Sequence, residues 1–339
     1  MSEKDTAREA DQIEGVSLPE QTKNLIGHQQ VFSQIVEQAK NNKLPSAMLI
    51  HGQKGIGKAT FAFALAKEIF SLSNPQAKNE INEQVAQGSY PNLFILRKAA
   101  KKPKGFYSEI RIDEVRELHS KMHKTRGRAG HRICIIDAID DCSIKASNAL
   151  LKILEEPPAD SLFILISHRH GSLLPTIHSR SHSYGLRILN DDEVKNAALQ
   201  NINDESDLDK CVRLAQGRPR RAIEAAMLKE LALLNDLQDW LELGEQQPTI
   251  TQLILAEDIV KSNEAAQAFA KEIIVTHIAN LAKITTQNTP VSRVYLASIT
   301  KLWDKAKSLF ADMEKYNLDK KQTLISIFDE IVKHKQLTQ

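Results

Sequence analysis

HGQKGIGKAT, residues 51–60, decides how this chain is read, because three glycines and a lysine at this spacing form a loop shaped to hold phosphate. The apolar run Ala47, Met48, Leu49 and Ile50 in front of it reads as a buried strand, and residues 60–70 behind it carry helical spacing. The loop therefore sits at a strand-to-helix turn. There Gly52, Gly55 and Gly57 let backbone N–H groups converge on an anion at a helix N-terminus, and Lys58 reaches the outer phosphates. One position departs from the pattern. Ala59 stands where Ser or Thr would hold magnesium, and Thr60 follows one residue too late.

Upstream, Val31, Ile35, Val36 and Ala39 form one face of a helix over residues 29–41. Downstream, residues 71–89 are polar with one weak amphipathic helix, and residues 93–96 are a second buried strand. The basic run over residues 97–105 has Pro and Gly punctuation and no interleaved aromatics, which reads as a solvated hairpin or loop. Ile112, Val115, Leu118 and Met122 stripe a helix over residues 112–125. Lys121, Lys124, Arg126 and Arg128 at its end either line a DNA-facing channel or are a solvated helix end.

Ile133, Cys134, Ile135 and Ile136 make a third strand ending in Asp137, the shape of a site that positions magnesium and water. Ala138 stands where a second acid would orient the attacking water, and Asp140 and Asp141 read as the start of the next turn. A helix over residues 143–156 is stopped by Pro157 and Pro158. A fourth strand, residues 162–166, ends at Ser167, and a fifth lies near residues 182–186. Strands alternating with helices imply a parallel sheet covered on both faces, so the first part of the chain is α/β. Beyond residue 190 strand signals vanish. Short helices at 191–199 and 208–215 precede one opened by Pro219, which continues through 223–243. Helical periods at 253–260, 265–284, 295–313 and 323–332 make the last part an all-α bundle.

A chain of 339 residues with 42% hydrophobic content has room for two or three cores. Lys+Arg 45 against Asp+Glu 43 gives a formal charge of +2, so no overall basic field drives indiscriminate nucleic-acid binding. Cys134, Cys142 and Cys211 lack CxxC spacing and suit reduced thiols, which points to a cytoplasmic protein. No apolar run approaches a membrane span, and the polar, acidic residues 1–21 read as a frayed arm.

Several stretches agree on one family: GQKGIGKAT, CIIDAID, SNALLKILEEPP over residues 147–158, LFILIS, and SRS over residues 179–181. Together they resemble the clamp-loader branch of the AAA+ proteins, over essentially everything from Leu25 onward. SNALLKILEEPP is the most specific of them. The resemblance implies a P-loop AAA+ α/β domain over 25–186 after a flexible leader over 1–24, then a small helical lid over 187–228 and an all-α collar over 229–339. It implies an open ring with other clamp-loader subunits, a motor ATPase and a delta-like subunit among them, acting on a sliding clamp and primed DNA with no membrane involved. Arg180 matches the arginine that such subunits offer in trans to the ATP bound next door, although Ser181 replaces the usual cysteine. Ser167 matches the first sensor and Arg220 the arginine of the second.

Ala59 and Ala138 then agree with the stator members of that branch, which do not hydrolyse ATP. Many relatives carry a four-cysteine zinc module between the first two strands. Residues 71–91 contain no cysteine, so no zinc is expected. Three readings stay open: a stator whose loop is either an inherited frame or still holds ATP or ADP with magnesium, a self-sufficient AAA+ ATPase that recruits Thr60 and another acid, and a DNA-binding protein on the same scaffold.

Overall fold

Short runs of branched and aliphatic residues become strands in this chain because they are buried on both sides. In the computed structural model, which describes residues 9–101, 105–123, 130–202, 205–243, 249–287 and 293–336, these runs form β1 (Ala47–His51), β2 (Leu93–Leu96), β3 (Arg132–Asp137) and β4 (Ser161–Ser167), while the edge strand β5 (His182–Gly185) is exposed except at Tyr184. All pairings are parallel, in the order β2-β3-β4-β1-β5. The connecting helices are α1 (Gln29–Lys40), α2 (Lys58–Ser73), α3 (Lys78–Ala86), α4 (Ile112–Met122), α5 (Ile144–Glu155) and α6 (Pro175–His178).

The period of two along a strand sorts the core into two layers. Met48 and Ile50, Ile133 and Ile135, and Ile164 and Ile166 point to one face, packed with Ile35 of α1 and with Phe61, Leu65 and Ile69 of α2. Ala47 and Leu49, Cys134 and Ile136, and Phe163 and Leu165 point to the other, packed with Val115 and Leu118 of α4 and with Leu150 and Ile153 of α5. The α/β class read from the sequence is the one the chain has. Ser143 starts α5 as expected, its side chain accepting from the Ala146 N–H at 3.2 Å.

The chain divides into two compact units: Met1–Ser206 with Ala215–Glu224, and Asp207–Leu214 with Ala225–Gln339. Along the chain the later helices are α7 (Asp191–Ala198), α8 (Leu208–Ala215), α9 (Pro219–Ala226), α10 (Leu231–Leu243), α11 (Thr249–Lys261), α12 (Glu264–Gln287), α13 (Arg293–Tyr316) and α14 (Lys320–Gln336). The second unit is helical, with Leu234, Leu237, Ile273, Ile274 and Phe328 buried, and Trp240 lies against Phe328 at 4.5 Å between ring centroids. No helix among the described residues is long and apolar enough to cross a membrane.

Two expectations change. The helix read as continuous over 223–243 is two helices. The Leu228 N–H turns back to the Ala225 carbonyl at 3.1 Å, and a new ladder begins with the Leu234 N–H on Glu230 at 3.1 Å. Apolar spacing runs straight across that break, so periodicity carries no mark of it. The arm read as frayed over 1–21, described from residue 9, is anchored at its end although Ala10, Asp11, Glu14, Gly15 and Ser17 are exposed. Leu18 and Glu20 are buried, and Lys67 of α2 donates to the carbonyls of Glu20 at 2.7 Å and Thr22 at 3.2 Å. An acidic, polar composition looks solvent-facing until a folded cation supplies its counter-charge. Residues 1–8, 102–104 and 124–129 lie outside the described residues, and with them Lys124, Arg126 and Arg128 of the basic helix end.

Candidate nucleotide site

Parallel strands bring their carboxyl ends to one rim, and that rim is where this chain gathers its charged side chains. The register pairs His51 with Ser167, Asp137 with Ile166, and Leu96 with Ile136. One residue past Leu96, Arg97 therefore stands beside Asp137, and the phosphate loop leaves β1 at the same level. Gly52 is needed for close approach: a Cβ there would lie 2.6 Å from the Leu186 carbonyl oxygen and 2.7 Å from Ile56 Cδ1. Gly57 caps α2 in the left-handed region at φ 93. In front of the loop lies a cavity of about 240 Å³, lined within the first unit by Lys54, Lys58, Thr60, Asp137 and Arg220 among others.

Every cation on this cavity already has a partner in the chain. Lys58 is buried, and its Nζ donates to the carbonyls of Gly52 at 2.8 Å and Gln53 at 2.6 Å. Burial pushes its ammonium down to about 8. Arg97, 11% exposed, reaches Glu20 at 3.1 Å, Glu9 at 3.1 Å and Asp137 at 3.3 Å. Burial outweighs that guanidinium at Asp137 and at Glu9 and holds both carboxyls above the usual range. Lys54 pairs with Asp11 at 3.0 Å, and Lys98 with Asp141 at 3.1 Å. Burial works to raise the Asp11 carboxyl, but the bond and charge of Lys54 prevail and hold it low. Arg220 donates to Glu224 at 2.7 Å and to the Asp11 carbonyl at 2.6 Å, while its own N–H reaches the Gly55 carbonyl at 3.2 Å. His168 is pushed down to about 4, by burial first and then by Lys58, so it lines the cavity neutral.

Of the residues read from the sequence, Gly55, Gly57, Lys58, Ala59, Thr60, Asp137 and Arg220 meet at the cavity. Gly52 sits behind the loop as an acceptor for Lys58. Ser167 is fully buried and is not among the lining residues; its Oγ donates to Asp140 Oδ1 at 3.1 Å. Arg180 lies off the cavity, just after α6, where it donates to the Thr176 carbonyl at 3.1 Å and pairs with Glu155 at 2.5 Å. A guanidinium there is held by one carboxylate and remains about one-third exposed. For magnesium the donors do not fit: Ala59 has no hydroxyl and Asp137 is engaged by Arg97. For the phosphates of a nucleotide the loop, Lys58 and Arg220 do fit, on the condition that their present partners yield.

Three groups escaped the sequence reading. Arg97 and Lys98 are not part of a solvated loop. On either side of residues 102–104 Ala100 bridges Phe106 and the Tyr107 N–H reaches the Ala99 carbonyl at 3.0 Å, but the two cations before them turn inward. Strand adjacency would have found Arg97, since β2 and β3 end together. Asp140 does more than open a turn: its carboxylate accepts from Ser167 Oγ, from the His168 N–H at 2.5 Å and from the Arg169 N–H at 3.2 Å, closing the end of β4. Glu9, Asp11 and Glu20 had no local signal, because their partners are distant in sequence.

Residues 27–190 match the family model described as DNA polymerase III, delta subunit. The delta' subunit of DNA polymerase III from Pseudomonas aeruginosa is 36% identical over 140 residues, 40% of this chain and 40% of that protein. The gamma subunit from Buchnera aphidicola is 31% identical over 182 residues, 52% of this chain and 48% of that one. The delta' subunit from Bacillus subtilis is 30% identical over 153 residues, 44% of each. The chain thus spans less than half the length of these relatives.

Proposed function

We propose, from the match of residues 27–190 to the model described as DNA polymerase III, delta subunit, and from the similarity to delta' subunits, that this chain is a clamp-loader subunit, a stator of the delta' kind, serving an ATP-driven complex without hydrolysing ATP itself. The observation that carries the reading is Asp137. Its carboxylate is tied to Arg97 at 3.3 Å, with Ala59 and Ala138 where a magnesium hydroxyl and a water-orienting acid would be needed. What such a subunit supplies is charge. Phosphoryl transfer spreads negative charge over the outer phosphate oxygens, and a planar guanidinium inserted from a neighbouring subunit stabilises it.

In this reading Arg180 is that guanidinium. It stands off the chain's own cavity, and a single pair with Glu155 leaves it able to turn toward a neighbour. Its partners are the motor and delta-like subunits of a cytoplasmic loader, and through them the sliding clamp and primed DNA; ATP or ADP in its own loop is an accessory at most. The test is Arg180→Ala in the reconstituted complex. Assembly is expected to persist while hydrolysis at the neighbouring ATP site falls about 10³-fold, the lower end of what an inserted arginine supplies, and clamp loading falls with it. Normal assembly with unchanged rates refutes the role.

A second reading draws on the similarity to gamma subunits and on Thr60 at the cavity wall: a self-sufficient ATPase that uses this displaced hydroxyl. Magnesium-dependent hydrolysis by the purified chain, abolished by Thr60→Ala, would replace the stator reading with this one.

A further inference from the structure

The acidic segment that precedes the α/β domain lies across the mouth of the phosphate loop. Glu9, Asp11 and Ile13 line the cavity together with Lys54, Lys58 and Arg220. The segment is fastened farther along the same cavity, where Leu18 is buried and the Ser17 N–H reaches Asn201 Oδ1 at 3.4 Å, and Lys67 holds the carbonyls of Glu20 and Thr22. Asp11 then bridges the two sides of the mouth. Its carboxylate takes Lys54 of the loop at 3.0 Å and its carbonyl takes Arg220 at 2.6 Å. Glu9 adds a carboxylate to Arg97 at 3.1 Å, beside Asp137.

We propose that residues 9–13 are an intramolecular occupant of this site, with Glu9 and Asp11 standing in for the anion the loop was shaped to hold, so that a nucleotide enters only by displacing them. The inference rests on reading the cavity as a nucleotide site. Charge supports it directly. Lys54 and Arg220 are the more exposed cations on the cavity, and Asp11 contacts both, Lys54 through its carboxylate and Arg220, which Glu224 also pairs, through its carbonyl. Lys58, deeper in the loop, is turned back onto the carbonyls of Gly52 and Gln53. A chain arranged in this way keeps an assembled, ordered loop without a bound nucleotide, because the counter-charges come from its own sequence. The device also accounts for an acidic stretch whose composition suggested only a solvated arm.

Titration of the full chain and of a Glu9→Gln/Asp11→Asn variant with ATP, by calorimetry, tests this. ATP is expected to bind the variant about tenfold more tightly, the combined scale of the two ion pairs, Asp11 with Lys54 and Glu9 with Arg97, no longer competed for. In the unmodified chain, saturating ATP should speed amide exchange over residues 9–16 while slowing it in the loop. Equal affinity for both chains, or binding with no change in exchange at 9–16, overturns the proposal and leaves the nucleotide site standing. Absence of ATP binding to either chain overturns the nucleotide reading itself and the occupant with it. Native far-UV circular dichroism of the variant shows that its response comes from a folded protein.

Discussion

Arg97→Met is expected to destabilise the first unit by about 3 kcal/mol at neutral pH. The guanidinium bonds Glu20 twice, at 3.2 and 3.1 Å, and also reaches Glu9 and Asp137, and it lies 5.2 Å from the Phe63 ring centroid. Removing one partner of a buried pair costs about 3–5 kcal/mol, mostly because the remaining charge is left unpaired. Glu20 and Asp137 are in that position, while Glu9 is exposed enough to regain water, which places the cost at the lower end. The loss should depend on pH with a defined sign. Asp137 and Glu9 are held above the usual carboxylate range, so the stability they contribute is present in acid and lost as pH rises through their folded values. Without Arg97 those values climb further, so the deficit is largest near neutrality and shrinks as pH falls through them, where protonation removes the unpaired charge. Amide exchange in β3 and β4 measures the first unit. The chain's two tryptophans, Trp240 and Trp303, both lie in the second unit, so their fluorescence is a control that should not respond. A deficit below about 1 kcal/mol, the scale of an exposed pair, or one constant between pH 5 and 8, would refute the buried charge cluster.

The loop makes two further predictions. Gly52→Ala places a Cβ against the Leu186 carbonyl oxygen and should cost at least about 2 kcal/mol, whereas Gly57→Ala meets no atom within 4 Å and should cost only the left-handed backbone penalty of about 1 kcal/mol; thermal unfolding of both separates crowding from strain. Lys58, pushed down to about 8, is uncharged in the folded chain but protonated in the unfolded one between that pH and its ordinary value. Wild-type stability should therefore rise by about 2 kcal/mol relative to Lys58→Met from about pH 8 to 10, and parallel curves from denaturant titrations would show that burial does not depress this lysine. Asp140→Ala removes three hydrogen bonds at the end of β4 and should cost about 2 kcal/mol, with faster exchange at the His168 and Arg169 amides; unchanged exchange there would show that Asp140 does not close the strand.

By itself the sequence determined the parts whose signal is local. Strands β1 to β4 follow from apolar runs between polar breaks, α4 and α5 from stripes at helical spacing, and the phosphate loop from glycines that no other residue can replace at Gly52. Ala59 and Ala138 were equally legible, since a missing hydroxyl or acid is missing in any fold. Other features were decided only when the sheet brought distant segments together. Arg97 looked like one charge in a basic run, and its meaning came from lying one residue past Leu96 in register with Ile136, beside Asp137. Glu9, Asp11 and Glu20 looked like a solvated leader, and their partners Arg97, Lys54 and Arg220 lie 43 to 209 residues away, from the Asp11 and Lys54 pair to the Asp11 and Arg220 contact. Periodicity reports which face of an element is buried. It carries no term for which charges meet at the end of a strand, because a Coulomb pair depends on distance in space, and that distance is set only when the sheet order is.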